Sequence, residues 1–242
     1  ADEPGPGWTF DGPVTFEDRT GRVAIKGLSL VNSYATGTYN PAAQRIDIRD
    51  FHLRTPEYGV FGSCSNDLAT GDFRFFFDGG FRPSDINGWF PSWWSDIWDH
   101  FVPHGIPQVN FEVSGSWTRE RQRFIFGYLD LHDLQIGEFF VPEGSARLHS
   151  VAGLLEVTHI DITRPEGRLL GNYRMVTALG SGRVLSQRFN LTSSVDVVPA
   201  LTAFTPGLAE TFRGITYEQP PIVNLRGVLL SRGMEEYAEI GR

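Results

Sequence analysis

Apolar and polar residues alternate along most of this chain in short stretches, and each stretch ends at a turn signal. In Gln108–Ser114 the apolar positions Val109, Phe111 and Val113 fall on one face, with Asn110 and Glu112 on the other. That is the period of a half-buried β-strand. Phe73, Phe75 and Phe77 share a face in the same way, with Arg74, Phe76 and Asp78 opposite. Further strands are predicted over 139–148, 154–163, 168–177 and 182–191, parted by turn residues in the manner of a meander. Phe124 and Phe126, followed by Leu129 and Leu131, read as one strand whose face switches near Gly127 at a bulge.

Two segments carry a helical period instead. From Pro83 to Val102, the residues Trp89, Trp93, Ile97 and Phe101 recur at helical spacing, with Phe90, Trp94 and Trp98 beside them. Ser84 or Asp85 is placed to cap this helix, and Pro91 is placed to kink or split it. From Val195 to Arg213 the apolar side holds Val198, Leu201, Leu208 and Phe212, with Pro199 near the first turn, where proline is tolerated.

The pattern recurs. Arg45–Gly62 and Leu155–Gly171 each read as a strand, a turn with Arg, Pro and Glu, and a strand reaching a glycine. Downstream, Ser84-Asp85-Ile86 matches Val195-Asp196-Val197, and Trp98–Phe101 matches Ala209–Phe212. Pro107-Gln108-Val109-Asn110-Phe111 then matches Pro221-Ile222-Val223-Asn224-Leu225. Ordered matches at a spacing of about 110 residues are the signature of duplication. The predicted fold is mostly β: a long antiparallel meander, curled into a groove-like sheet, built from two such repeats that each end in an amphipathic helix. A disordered lead covers 1–7 and repeat one covers 8–105, with its helix over 83–102. Repeat two covers 106–219, with its helix over 195–213, and a truncated third repeat covers 220–242. The truncation predicts a piece of a longer chain.

Composition narrows the function. The 19 Phe and 6 Trp exclude a disordered chain. A net charge of −8, with Lys26 the only lysine, excludes a general nucleic-acid binder, which needs clustered cations. The single cysteine, Cys64, excludes an intramolecular disulfide framework and reads as a structural residue. No nucleophile elbow, zinc-protease or phosphate-loop motif occurs, and nothing pairs Glu112, Glu138 or Glu156 for acid–base work. No enzymatic activity, cofactor or metal is predicted. Two sets resemble ligand clusters: His100 and His104 with Asp96 and Asp99, and Asp130 and His132 with His159 and Asp161 if their strands pair. A solvated helix end and a polar outer face are the plainer readings.

The turn Arg164-Pro165-Glu166-Gly167, the proline-bearing helix and the new meander opening at Pro107-Gln108-Val109-Asn110-Phe111 together resemble AsmA-like proteins. This group lies in Gram-negative envelopes and includes the inner-membrane subunit of the translocation and assembly module. The resemblance covers nearly the whole chain and rests on architecture. It implies a non-enzymatic module in the periplasm, tethered to the inner membrane in the full-length protein. It also implies a β-groove that passes phospholipid or other acyl-chain lipids, with contact to a membrane. No apolar run here reaches the roughly 18 residues of a bilayer span. The residues expected to line the groove are Phe73, Phe75, Phe77, Val109, Phe111 and Val113 on strands, and Trp89, Trp93, Trp94 and Trp98 on the helix. Core packing is the plain reading of the tryptophans, and glycan stacking is a third. The second half has Ala200, Phe204, Thr205 and Ala209 at the matching positions, so the tryptophans are particular to the first. The competing functions are a structural or adhesive β-repeat module and a carbohydrate-binding β-protein that uses the tryptophan cluster.

Overall fold

The structure is a computed structural model describing residues 7–14, 28–99, 101–119, 122–179, 183–204, 209–210, 218 and 221–231, with backbone alone for 7–14, 96, 197, 203 and 204. Most of the expected lead (1–7) and the end of the stretch expected to open a third repeat (220–242) therefore lie outside the described residues. Among the described residues, thirteen strands make one sheet: β1 (Gly7–Val14), β2 (Leu28–Asn40), β3 (Arg45–Arg54), β4 (Gly59–Asp67), β5 (Asp72–Gly80), β6 (Phe101–Pro103), β7 (Gln108–Ser116), β8 (Arg123–Ile136), β9 (Phe139–Val151), β10 (Leu154–Arg164), β11 (Gly167–Thr177), β12 (Val184–Ser193) and β13 (Val223–Leu230). Apart from β6, which pairs with β8, each strand lies antiparallel to the next. The predicted meander is present and open, with β1 and β13 at its edges. The four strands expected over 139–191 are β9 to β12, with ends shifted by a few residues.

Two helical excursions leave the sheet and return to it. A 3-10 helix (Pro83–Trp89) and α1 (Trp93–Trp98) lie between β5 and β7, and α2 (Val197–Phe204) lies between β12 and β13. The helical stretch expected over 83–102 is split in two at Pro91, the alternative that proline offered, and ends at Trp98. Phe90 precedes Pro91 and is extended, with φ −118° and ψ 160°. A proline ring forces that on the residue before it. Neither Ser84 nor Asp85 caps: Arg82 stands at the cap position, without a side-chain bond. Val102, expected to end the helix, pairs with Gln135 in the β6–β8 ladder. The helix expected over 195–213 is α2, and Ala209 and Glu210 are helical again. Residues 205–208 and 211–213 lie outside the described set.

Directly paired residues of a sheet point to the same side, so the registers trace continuous rows. One row on the inner face runs Ala35, Phe51, Gly62, Phe77, Phe111, Gly127, Leu148, Val157, Tyr173, Phe189, Gly227 from β2 to β13. Large and small side chains share it. A methyl at Gly62 would lie 2.4 Å from the Phe51 ring, and one at Gly127 would lie 2.2 Å from Phe111 Cβ. Glycine makes the room that the neighbouring rings fill. The face switch expected near Gly127 does not occur: Ile125 is fully buried on the inner face, and Phe126 points outward, 53% exposed. The β8 irregularity lies further on, at Asp133, which has φ 50°.

Two hairpins share one register. In β3–β4 the pairing shifts between Ile48 and Phe51, and Phe51 faces Gly62. In β10–β11 it shifts between Val157 and Ile160, and Ile160 faces Gly171. The agreement carries outward. Phe77 pairs with Gly62 and Phe111, while Leu191 pairs with Gly171 and Leu225. At the second bulge His159 takes φ 52°, and its backbone N–H donates to Asn172 Oδ1 at 3.0 Å. Such bulges bend a strand and increase its local twist.

The glycines yield a stability test. A methyl at Gly62 would sit 2.0 Å from the Phe76 carbonyl oxygen, whereas one at Gly227 meets nothing nearer than 3.3 Å. In urea unfolding, Gly62→Ala is expected to lose about 1–3 kcal/mol or more, the cost of overpacking. Gly227→Ala is expected to lose little, because only a Phe189 ring edge must give.

Candidate functional site

Three hydrogen bonds hold the first helical excursion, one at its neck, one to the β3–β4 turn and one between its own two helices. The Phe81 backbone N–H donates to the Pro107 carbonyl at 3.0 Å, closing the neck where the chain leaves the sheet. The Tyr58 hydroxyl donates to Asp85 at 2.6 Å. Burial, then this carboxylate, raises the tyrosine pKa. The Trp94 indole N–H donates to the Pro83 carbonyl at 2.9 Å, inside the core.

The cover and the face beneath it together hold all ten residues expected to line a groove, in one cluster. Trp94 and Val113 are 0% exposed, Phe77 1%, Phe111 2% and Trp98 5%. Phe73, Trp93 and Val109 are also buried, while Phe75 and Trp89 are half-buried. Phe90 stacks on Trp94 with centroids 4.6 Å apart, and Trp94 and Trp98 reach Phe111 at 6.0 and 6.4 Å. Arg123 lies over the Trp93 ring at 5.2 Å. An aromatic side chain buries about 150–250 Å², worth about 4–6 kcal/mol before entropy at about 25 cal/mol per Å². The excursion is thus held mainly by its rings. Trp93, Trp94 and Trp98 present no open face to a glycan.

A cleft of about 40 Å³ lies at this seam, lined by Pro83, Trp98, Phe101, Pro103, Leu129 and Leu134 among others. It is apolar and has room for a water-sized guest. The buried Trp98 indole N–H has no hydrogen-bond partner among the described residues. Away from the excursion the inner face is more open. The row beside the glycine row passes under Phe90 at Phe75, then through Ile48 and Cys64 on one flank, and Leu155 and Met175 on the other. These side chains are only half-buried. Burial pushes the Cys64 thiol up to about 11.

The polar candidates do not assemble. Asp130 and His132 lie 3.7 Å apart on β8, but β9 separates them from His159 and Asp161 on β10. Asp161 is instead paired with Arg168, which holds its carboxyl below the usual range, first through the hydrogen bond. No group of three potential ligands occurs among the described residues. His100 and the Asp96 side chain lie outside them, and Asp99 accepts from Asn87 at 2.6 Å. Glu112 is taken by Arg74, and Glu156 by His149 and Arg174. Among the described residues, no helix is long and apolar enough to cross a membrane.

Sequence reasoning missed the outward aromatics. Phe61 is 50% exposed and stacks on His52 at 4.1 Å, and Phe126 packs beside Phe124 and His149. The available signal was parity: these rings alternate with the buried set on their strands.

The two tryptophans differ in one bond, and this is testable. Trp94→Phe and Trp98→Phe lose similar volume, but only the first strands a buried carbonyl, that of Pro83. In thermal or urea unfolding Trp94→Phe is expected to cost about 1–3 kcal/mol more than Trp98→Phe. Equal losses would show that the indole bond contributes nothing. No family model, curated protein or solved structure matches the chain, so what it does has to be read from its own residues.

Proposed function

We propose that this chain is a duplicated β-sheet module that holds the acyl chains of phospholipid or a similar lipid against a curled, groove-like inner face, without catalysis. The observation that carries the reading is the half-open apolar row on both flanks of the helical cover: Ile48 and Cys64 on one side, Leu155 and Met175 on the other. A sheet with one apolar face must bury it against something. Only the middle of this row is filled, where Val113 and Ile125 are 0% exposed under the rings. A lipid tail would cover the flanks at about 0.8 kcal/mol per buried CH₂.

The duplication is supported by the shared registers. Under them β13 is the counterpart of β7, as a third repeat opening at residue 220 requires. The resemblance to AsmA-like envelope proteins supports the same reading. What that resemblance implies is a periplasmic module, part of a longer chain tethered to the inner membrane. The tightly filled aromatic cluster favours a second reading, a structural or adhesive repeat whose helices simply close the sheet.

A photo-reactive residue decides between them. With p-benzoylphenylalanine at Ile48 or Met175 and irradiation of the protein in its producing cells, mass spectrometry is expected to find phospholipid adducts. The same residue at Glu112 on the outer face should yield none. Adducts at neither inner position, with no lipid in an organic extract of the purified protein, would leave the structural reading standing. A companion measurement uses Cys64. Because its thiol is pushed up to about 11, maleimide labelling at pH 8 is expected to be slow and to speed up as pH rises toward that value. Phospholipid vesicles should slow it further.

A further inference from the structure

The outer face of the first half carries a depression of about 370 Å³ over β4. Its floor is short: Ser63 and Ser65. Longer residues rise on both sides in two cross-strand rows. Asp47, Ser65 and Arg74 form one, and Ser63, Phe76 and Glu112 form the other. Arg49 stands between them at the β3 bulge. Two hydroxymethyl groups set among longer side chains make the hollow. The second half fills the matching places. By register, Asn172 and Arg174 stand for Ser63 and Ser65, facing Asn190 and Arg188, with Glu156 in the place of Asp47.

The charges in the hollow balance: Arg49 and Arg74 against Asp47 and Glu112. They are also largely engaged with one another or with neighbours. Arg74 reaches Glu112 at 2.6 Å, and Arg45 holds both oxygens of Asp47 at 3.0 and 2.9 Å. A charged guest would have to break these pairs. A neutral guest need not, because each carboxylate has further lone pairs and each guanidinium further N–H groups. Adjacent hydroxyls on a sugar ring match such forked groups in spacing, and the serine hydroxyls can both donate and accept. Phe76 supplies an apolar wall for the C–H face of the ring. The volume sits at the low end of the roughly 300–1,000 Å³ typical of small-molecule sites.

We propose that this depression is a binding site for one unit of a neutral saccharide. The site is independent of the lipid reading. Only its control variant uses the register equivalence, and the photo-labelling at Ile48 and Met175 reads a different face, so either reading can fail alone.

The test titrates the whole chain with maltohexaose, cellohexaose and chitohexaose, followed by calorimetry and saturation-transfer NMR, with inorganic phosphate as the charged comparison. At least one oligosaccharide is expected to saturate by about 10 mM, where even a millimolar complex fills. The double variant S63N/S65R carries the residues of the second half, which the fold already accommodates. It should keep the melting temperature and weaken binding about tenfold or more, that is by about 1.4 kcal/mol. Should it fail to fold, Phe76→Ala reads the same wall and is expected to weaken binding too. Absence of saturation by all three sugars would overturn the proposal. So would undiminished affinity in the variants, or a preference for phosphate.

Discussion

The rest of the structure hangs on the inner row that crosses the sheet from Ala35 to Gly227. Each strand fixes the next through antiparallel pairing, and a slip of one residue would turn a whole strand's apolar set to water. The row prevents slips by steric fit. The Phe51 ring fills the space that Gly62 leaves, and Gly127 admits the close approach of the Phe111 strand, so this register lets the rings pack where a larger residue would clash. Length adds a second demand. Strands such as β8 (Arg123–Ile136) and β9 (Phe139–Val151) twist too far to stay flat. The bulges at Ile48–Phe51 and Val157–Ile160 bend β3 and β10 and add to their local twist.

A sheet built this way has one side that water must not wet, and the two helical excursions are the local answer. They leave between paired strands, so they cost the ladder nothing. The excursions adjoin only β5, β6, β7, β12 and β13 among the described strands, yet the first excursion's rings reach a core spanning β2 to β9. Trp94 is large enough to touch Phe90, Trp98 and Phe111 at once while its N–H stays satisfied at Pro83. A smaller side chain there would shrink the cover and leave more of the face to some other apolar partner. The balance between filled core and open flank is therefore set by ring size on one short segment.

How much of this was legible depended on whether the decisive contact was local. Val109, Phe111 and Val113 alternate cleanly, and their face follows from the sequence. The meander over β9 to β12 follows from turn spacing. Phe124 and Phe126 mislead because aromatic residues ordinarily mark a core, whereas here their parity places them outside and the smaller Ile125 inside. The helical period from Trp89 to Phe101 runs on past Pro91, but proline geometry stops the helix at Phe90, and Val102 finds a strand partner in Gln135. No local pattern announces a partner more than thirty residues away. The four-ligand set of Asp130, His132, His159 and Asp161 fails for the same reason: pattern gave faces, and only pairing order puts β9 between β8 and β10. The serine-floored depression was invisible because it depends on what three neighbouring strands place beside Ser63 and Ser65.

Under the proposed duplication, the two halves keep some features and discard others, and the physics says which. Both halves hold the bulge and the facing glycine, Gly62 and Gly171, because a Cβ at either place would meet a backbone carbonyl within 2.1 Å. The cover need not be kept: tryptophans in one half correspond to alanines such as Ala200 and Ala209 in the other, since a cover has only to fill whatever space its own rows leave. The outer face is freer still, because water accepts any polar set, and there Ser63 and Ser65 stand opposite Asn172 and Arg174. New binding chemistry arises most cheaply where register does not constrain the side chain. On this sheet that places it on the outer face and the flanks, while the aromatic core that dominates the sequence is chiefly what keeps the two faces apart.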